Sequence, residues 1–257
     1  SACTQPAAAP APDPGGDPDP LPWWCTATAW GPGHGHHYEG RHKGDLSTAD
    51  CDSVTTSFDA ALAYAQQYPT AADAQAGGFE RFVPYVAGMG THDMPATGLA
   101  AAIADPSFDR FDPQFPGTAI DDVFDPTTPE FLQYDGNGLD AELVGMSWLV
   151  RTDDGMPPEG FAGGNDWWHS HPVLCFSTSF GVVIGEDTSE SQCSSMGGVN
   201  RYLHDYWMVH AWIVPGMEYR IDVFENHHPC ITAGGATWDP SDPCFDEAPS
   251  GGGHSGH

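Results

Sequence analysis

The chain has 257 residues and carries 36 Asp and Glu against 7 Lys and Arg, a formal net charge of −29 at pH 7. A field of that sign repels polyanions, so nucleic acid is excluded as a partner and an anionic membrane surface is a poor one, whereas cations are attracted. With 40% hydrophobic residues and nine Trp the chain can bury a sizeable core, so wholesale disorder is excluded, and it holds no run of about 18 apolar residues to span a membrane.

Cys3, in Ser1-Ala2-Cys3-Thr4, looks like the end of a bacterial lipobox, where Cys becomes the lipidated first residue. The expected membrane contact is therefore a lipid anchor at Cys3, the alternative being an ordinary secreted terminus with an unpaired Cys. Residues 4–22 are Ala, Pro, Gly and Asp, a disordered tether over 1–22. A His-rich, disulfide-bounded lead-in follows over 23–57, then one β-rich domain over 58–247 and a Gly/Ser-rich disordered tail over 248–257.

The lead-in passes into helix. Ser57 is a plausible N-cap, and Phe58, Ala61, Leu62 and Ala65 recur at helical spacing before Pro69 stops the run. A second short helix is expected from Thr70 to Ala76. Beyond Gly77-Gly78 the pattern turns to short strands. Phe131–Tyr134, the turn Asp135-Gly-Asn-Gly138 and Ala141–Val150 read as a hairpin. A calcium loop starting at Asp135 is the weaker reading, because Asp140 stands where such a loop needs Gly. Further strands are expected at Val173–Phe180, Gly181–Ile184, Trp207–Val214 and Met217–Phe224. The expected fold is mainly β, a sandwich or barrel-like arrangement with a short helical lead-in.

Apart from Cys3, six Cys remain: Cys25, Cys51, Cys175, Cys193, Cys230 and Cys244. An even set fits three disulfides in an oxidising compartment, with 15 connectivities open. Nearest-neighbour pairing is preferred because each pair brackets a loop-like stretch. No C-x2-C spacing supports a thiolate zinc site. The expected location is secreted, periplasmic or on the cell surface of a bacterium.

Thirteen His fall into groups. His34, His36, His37 and His42 lie in a Gly-rich run that can hold Cu(II), Ni(II) or Zn(II) without being preorganised for it. His92 follows Gly88-Met-Gly-Thr, where the glycines imply a tight turn that aims it. Met89 and Met94 flank it as soft donors or core filler, and Asp93 stands next to it as a group to orient its ring. His169 and His171, in Trp167-Trp-His-Ser-His-Pro172, share one face of an extended strand, walled by Trp167 and Trp168. His210 sits in the apolar run Trp207–Val214 and, if buried, needs partners for its ring nitrogens. His227-His228 lies close by in the sequence. The economical reading joins His92, His169, His171 and His210 around one transition metal, Cu or Zn. A carboxylate such as Glu142 or Asp93 would favour Fe or Mn. The competing reading is four separate structural histidines.

Gly88-Met-Gly-Thr-His92, Phe124-Asp-Pro-Thr-Thr-Pro-Glu-Phe-Leu-Gln-Tyr134, Ala141-Glu-Leu-Val-Gly-Met-Ser-Trp148 and Met208-Val-His-Ala-Trp212 follow in that order. Over roughly residues 58–230 this resembles a group of uncharacterised secreted bacterial proteins with the pattern M-G-x-H … D-P-x-x-P-E-x-L-x-Y … L-V-G-V-E-Y … H-A-W. The resemblance implies functional histidines at His92 and His210. It also implies a middle-strand Glu, where this chain has Ser147 or Trp148, so His169 and His171 would compensate. It carries no agreed activity.

No G-x-S-x-G elbow, P-loop or dinucleotide fingerprint occurs. Ser189–Ser195 reads as a disulfide-bounded loop. Three functions stay open: a secreted or surface-anchored metal-binding protein; a metalloenzyme, oxidase-like with Cu or hydrolytic with Zn; and a surface structural protein assembling with copies of itself.

Overall fold

A computed structural model describes residues 21–26, 36–38, 44–95, 122–232, 235–236 and 244. Cys3, His34, His42, all of the expected tether but Leu21 and Pro22, and the expected tail over 248–257 lie outside them. Helix α1 spans Thr48–Ala65 and α2 spans Ala71–Ala76. Strands β1 (His36–His37), β2 (Phe79–Val86), β3 (Gly90–Pro95), β4 (Phe131–Tyr134), β5 (Leu143–Arg151), β6 (His169–Ser170), β7 (Val173–Ser177) and β8 (Val183–Glu186) come next. The short helix α3 (Glu190–Ser195) is followed by β9 (Gly198–Tyr202), β10 (Tyr206–Ala211), β11 (Ile231–Thr232) and β12 (Gly235–Ala236).

The strands make a seven-stranded antiparallel sheet, β1-β6-β10-β5-β4-β3-β2, and a three-stranded one, β8-β7-β9. Alternation along each strand divides the large sheet into two faces. Leu132, Tyr134, Val144, Met146, Trp148, Val150 and Val209 join the core that also holds Val54, Phe58, Ala61 and Ala65 of α1. Phe82, Met94, Phe131, Leu149 and Met208 pack against Leu174, Phe176 and Val183 of the small sheet. The large sheet is therefore covered on both faces, which is why β5 and β10 read as almost unbroken apolar runs. The mainly β, sandwich-like fold expected from the sequence is the one the chain adopts.

Cys25–Cys51, Cys175–Cys193 and Cys230–Cys244 are joined, the nearest-neighbour set. Cys25–Cys51 fastens the lead-in to α1, and the other two pin α3 to β7 and the C-terminal end to the segment after β10. Three such bonds indicate an oxidising, extracytoplasmic setting. No described helix is long and apolar enough to cross a membrane.

Several local expectations are corrected. Helix α1 starts ten residues earlier than an N-cap at Ser57 would place it. Its N-cap is Ser47, whose Oγ accepts from the Asp50 N–H and donates to the Asp50 carboxylate. Ser57 is mid-helix and donates to the Ser53 carbonyl one turn back. Met217–Phe224 is not a strand, although Met217, Tyr219, Val223 and Phe224 are buried. Acidic side chains take amides at its two ends instead: the N–H of Gly216, just before it, donates to Glu218 and that of Phe224 to Asp222. Ser189–Ser195 is not a plain loop, because Ser189 and Gln192 form a capping box that starts α3. Strand β9 was not anticipated; it is half-buried and polar, and it owes its extended form to five paired positions with β7.

Candidate functional site

Position β3 to β10 in the large sheet first. Adjacent strands lie about 4.8 Å apart, so β3 and β10, separated by β4 and β5, are roughly 14 Å apart along a flat sheet. Yet the rings of His92 on β3 and His210 on β10 have centroids 5.2 Å apart. Side chains on strands three apart meet only if the sheet curls inward on that face. Register shifts between β2 and β3 and at Gln133/Tyr134 between β4 and β5 help it do so, since bulges bend a strand and increase its twist.

The inside of that curve carries one polar side chain on each of five neighbouring strands: His169 (β6), His210 (β10), Ser147 (β5), Gln133 (β4) and His92 (β3). All are essentially buried, at 0%, 1%, 0%, 0% and 3% exposure. His210 stands directly across from Ser147, which stands across from Phe131, so the three share a face. His169 pairs across from Met208 and meets His210 with centroids 5.3 Å apart, and His171 meets His169 at 5.1 Å. The four rings named from the sequence thus form one continuous chain. Phe131 and Trp212 wall it, with ring centroids 5.6 Å from His92 and 6.1 Å from His210. Trp167 and Trp168, expected to be that wall, belong instead to the core beneath the helices, where the Trp168 indole donates to the Asp166 carboxylate.

Gln133 was missed in the sequence, although a single amide inside Phe-Leu-Gln-Tyr was a signal that one polar group is buried there. Its Nε2 donates to the Met89 carbonyl over 2.9 Å, and it lies 2.9 Å from His210 Nδ1 and 3.4 Å from His92 Nε2. An amide NH2 can only donate, so the His210 contact assigns the lone pair to Nδ1. That contact passes over β5, and the floor beneath is made of its two smallest residues, Gly145 and Ser147. A Cβ on Gly145 would stand 2.7 Å from Gln133 Oε1 and 2.6 Å from the Trp212 ring. Gln133 Oε1 and Ser147 Oγ are buried with no hydrogen-bond partner among the described residues.

Neither carboxylate considered from the sequence reaches the cluster. Asp93 faces the opposite way from His92 and is held by the Arg81 guanidinium. Burial raises the Asp93 carboxyl above the usual range, with Arg81 working against that rise. Glu142 is exposed at the strand end opposite Thr70. The acid that does approach is Glu186 of β8, whose Oε2 lies 3.5 Å from His171 Nδ1. No short-range pattern reveals it, because the small sheet brings it there.

His227 is half-buried against Gly88, where a Cβ would strike its ring. His228 is fully buried and internally satisfied: its Nδ1 accepts from the Cys230 N–H, its Nε2 faces the Met217 carbonyl, and Trp212 and Tyr219 pack on its ring. His36 and His37, read as part of a loose Gly-rich run, form edge strand β1, with the His37 backbone opposite His169. The Asp135–Glu142 segment closes the β4–β5 hairpin, as expected, with the Glu142 N–H on the Asp135 carboxylate.

Imidazoles sharing one cation, with metal–nitrogen bonds of about 2.0–2.1 Å, have ring centres roughly 5 Å apart, the spacing seen along this chain of rings. Even so, among the described residues no group of three or more His, Cys, Asp or Glu stands ready to hold a metal ion. The Gln133 amide lies between His92 and His210 in the present arrangement. No family model, curated protein or solved structure matches this chain.

Proposed function

We propose that this is a secreted or surface-anchored protein that binds a transition metal, Cu or Zn, through His92, His169, His171 and His210. What supports the reading above all is the uninterrupted run of four imidazoles along the inside of a curved sheet, brought from three different parts of the chain. Separate structural histidines have no reason to gather in this way. Glu186 behind His171 is the kind of carboxylate that orients a ligating ring and fixes its tautomer. The net charge of −29 concentrates cations near the surface. His34, His36, His37 and His42 would capture or shield ions, and a lipid anchor at Cys3 would hold the protein at a membrane of a bacterial envelope.

The metalloenzyme reading has one observation in its favour. Ser147 Oγ, buried, with no hydrogen-bond partner among the described residues and directly across from His210, is available to a metal-bound water.

Metal analysis of protein purified without an affinity resin tests the proposal. One equivalent of Cu or Zn is expected, and it is lost in His210→Ala while the disulfides and the β circular-dichroism signal remain. Absence of metal, or metal that disappears only when residues 31–43 are deleted, refutes the folded site.

A further inference from the structure

The cluster contains a group that no count of His and acidic residues includes. We propose that Gln133 is itself a ligand of the site: its amide turns over on metal entry, and its Oε1 joins His92 Nε2, His210 Nδ1 and the Met89 carbonyl around the cation. This deepens the metal-binding reading and rests on it.

The argument starts from what surrounds one atom. Gln133 Nε2 sits among two ring nitrogens and a carbonyl oxygen, at 2.9 Å from Met89 O, 2.9 Å from His210 Nδ1 and 3.4 Å from His92 Nε2. With only two N–H bonds it cannot serve three acceptors, and the Met89 and His210 contacts are the closer pair. The lone pairs of Met89 O and His210 Nδ1 are therefore directed at a point of positive character, with His92 Nε2 beside it. Around a cation with bonds of about 2.0–2.1 Å, neighbouring donor atoms are separated by roughly 2.9 Å in octahedral and 3.3 Å in tetrahedral coordination. The three separations around Gln133 fall in that range.

The other end of the amide is unsatisfied. Gln133 Oε1 is buried, has no hydrogen-bond partner among the described residues, and rests over the bare Cα of Gly145. A buried amide oxygen left without a donor is costly, and turning the amide gives that oxygen a cation as partner while the NH2 takes its place over Gly145. The two amide orientations have the same shape, so the turn needs no repacking of Phe131 or Trp212. The resulting donor set is two imidazoles and two neutral oxygens, with His169 next in the ring chain. It suits a borderline dication such as Zn(II) better than a soft monovalent ion.

The test uses the full oxidised chain carrying His34→Ala, His36→Ala, His37→Ala and His42→Ala, so that only the folded site reports. Zn(II) affinity is measured by competition with a chelating dye, and the Co(II) visible spectrum reports the donor set. The parent is expected to bind one Zn(II). Gln133→Glu, which places an anionic oxygen in the same position, is expected to tighten Zn(II) at least tenfold and to shift the Co(II) bands. Gln133→Leu is expected to weaken Zn(II) at least tenfold. If the Leu variant fails to fold, the Glu variant carries the test. Stoichiometric Zn(II) in the parent, with affinity within threefold and an unchanged Co(II) spectrum in Gln133→Glu, overturns the role of Gln133 and leaves the histidine site standing. No Zn(II) in the parent overturns both.

Discussion

His228 gives the sharpest quantitative prediction, because its ring is sealed in a place where charge is not tolerated. Burial, with His227 adding to it, pushes its pKa from the ordinary 6.5 down to about 3, against the opposing hydrogen bond to the Met217 carbonyl. In the folded protein the ring is neutral, with Nδ1 accepting from the Cys230 N–H and Nε2 facing that carbonyl. Above pH 6.5 the folded and unfolded states are both neutral at this position and stability is complete. As pH falls from 6.5 toward 3 the unfolded chain takes up a proton that the folded chain refuses, so stability is lost across that window. Each tenfold difference in proton affinity corresponds to about 1.4 kcal/mol. This group alone therefore withdraws about 2 kcal/mol by pH 5, and roughly 4 kcal/mol by the time pH reaches the folded value. The perturbation is His228→Gln, which keeps a donor and an acceptor at nearly the same points and does not titrate. Urea unfolding with disulfides intact, followed by Trp fluorescence, is measured for both proteins at pH 7, 6 and 5. Parent stability should drop relative to the variant by about 2 kcal/mol between pH 7 and 5. Parallel curves for the two proteins would refute a neutral, desolvated His228.

Three further outcomes test the packing around the candidate site. Gly145→Ala drives a methyl group to within 2.7 Å of Gln133 Oε1 and 2.6 Å of Trp212; overpacking of that kind should cost about 1–3 kcal/mol in chemical denaturation. Arg81→Ala strands the Asp93 carboxylate, whose side chain is only 7% exposed, and should cost about 1–3 kcal/mol; adding Asp93→Asn should recover part of that loss in a double-mutant cycle. Replacing Cys175 and Cys193 by Ser opens a disulfide that spans 18 residues and should lower stability by about 3 kcal/mol in the same assay, through the freedom regained by the unfolded chain.

Much of the framework was legible from local pattern. Phe131–Tyr134 and Ala141–Val150 marked a hairpin, the apolar run Trp207–Val214 marked a buried or half-buried strand, and the even set of Cys marked the disulfides. The short helix expected from Thr70 to Ala76 is α2. These features depend on near neighbours or on burial alone, which a linear pattern records. The start of α1 was misplaced because residues 47–57 are rich in Ser, Thr and Asp, any of which can cap a helix, and only Cys51 and Val54 reaching the core decide between them. Strand β9 escaped because its extended form comes from pairing with β7 rather than from its own residues.

The candidate site divides along the same line. The sequence by itself singled out His92, His169, His171 and His210 as a group and placed His210 in an apolar strand. Only the tertiary structure decided that they meet. Their convergence depends on the curl of the large sheet, on Gly145 and Ser147 keeping its floor low, and on the register that sets Gln133 between His92 and His210 and Glu186 beside His171. Curvature and register are properties of strands acting together, and no single segment of the chain encodes them.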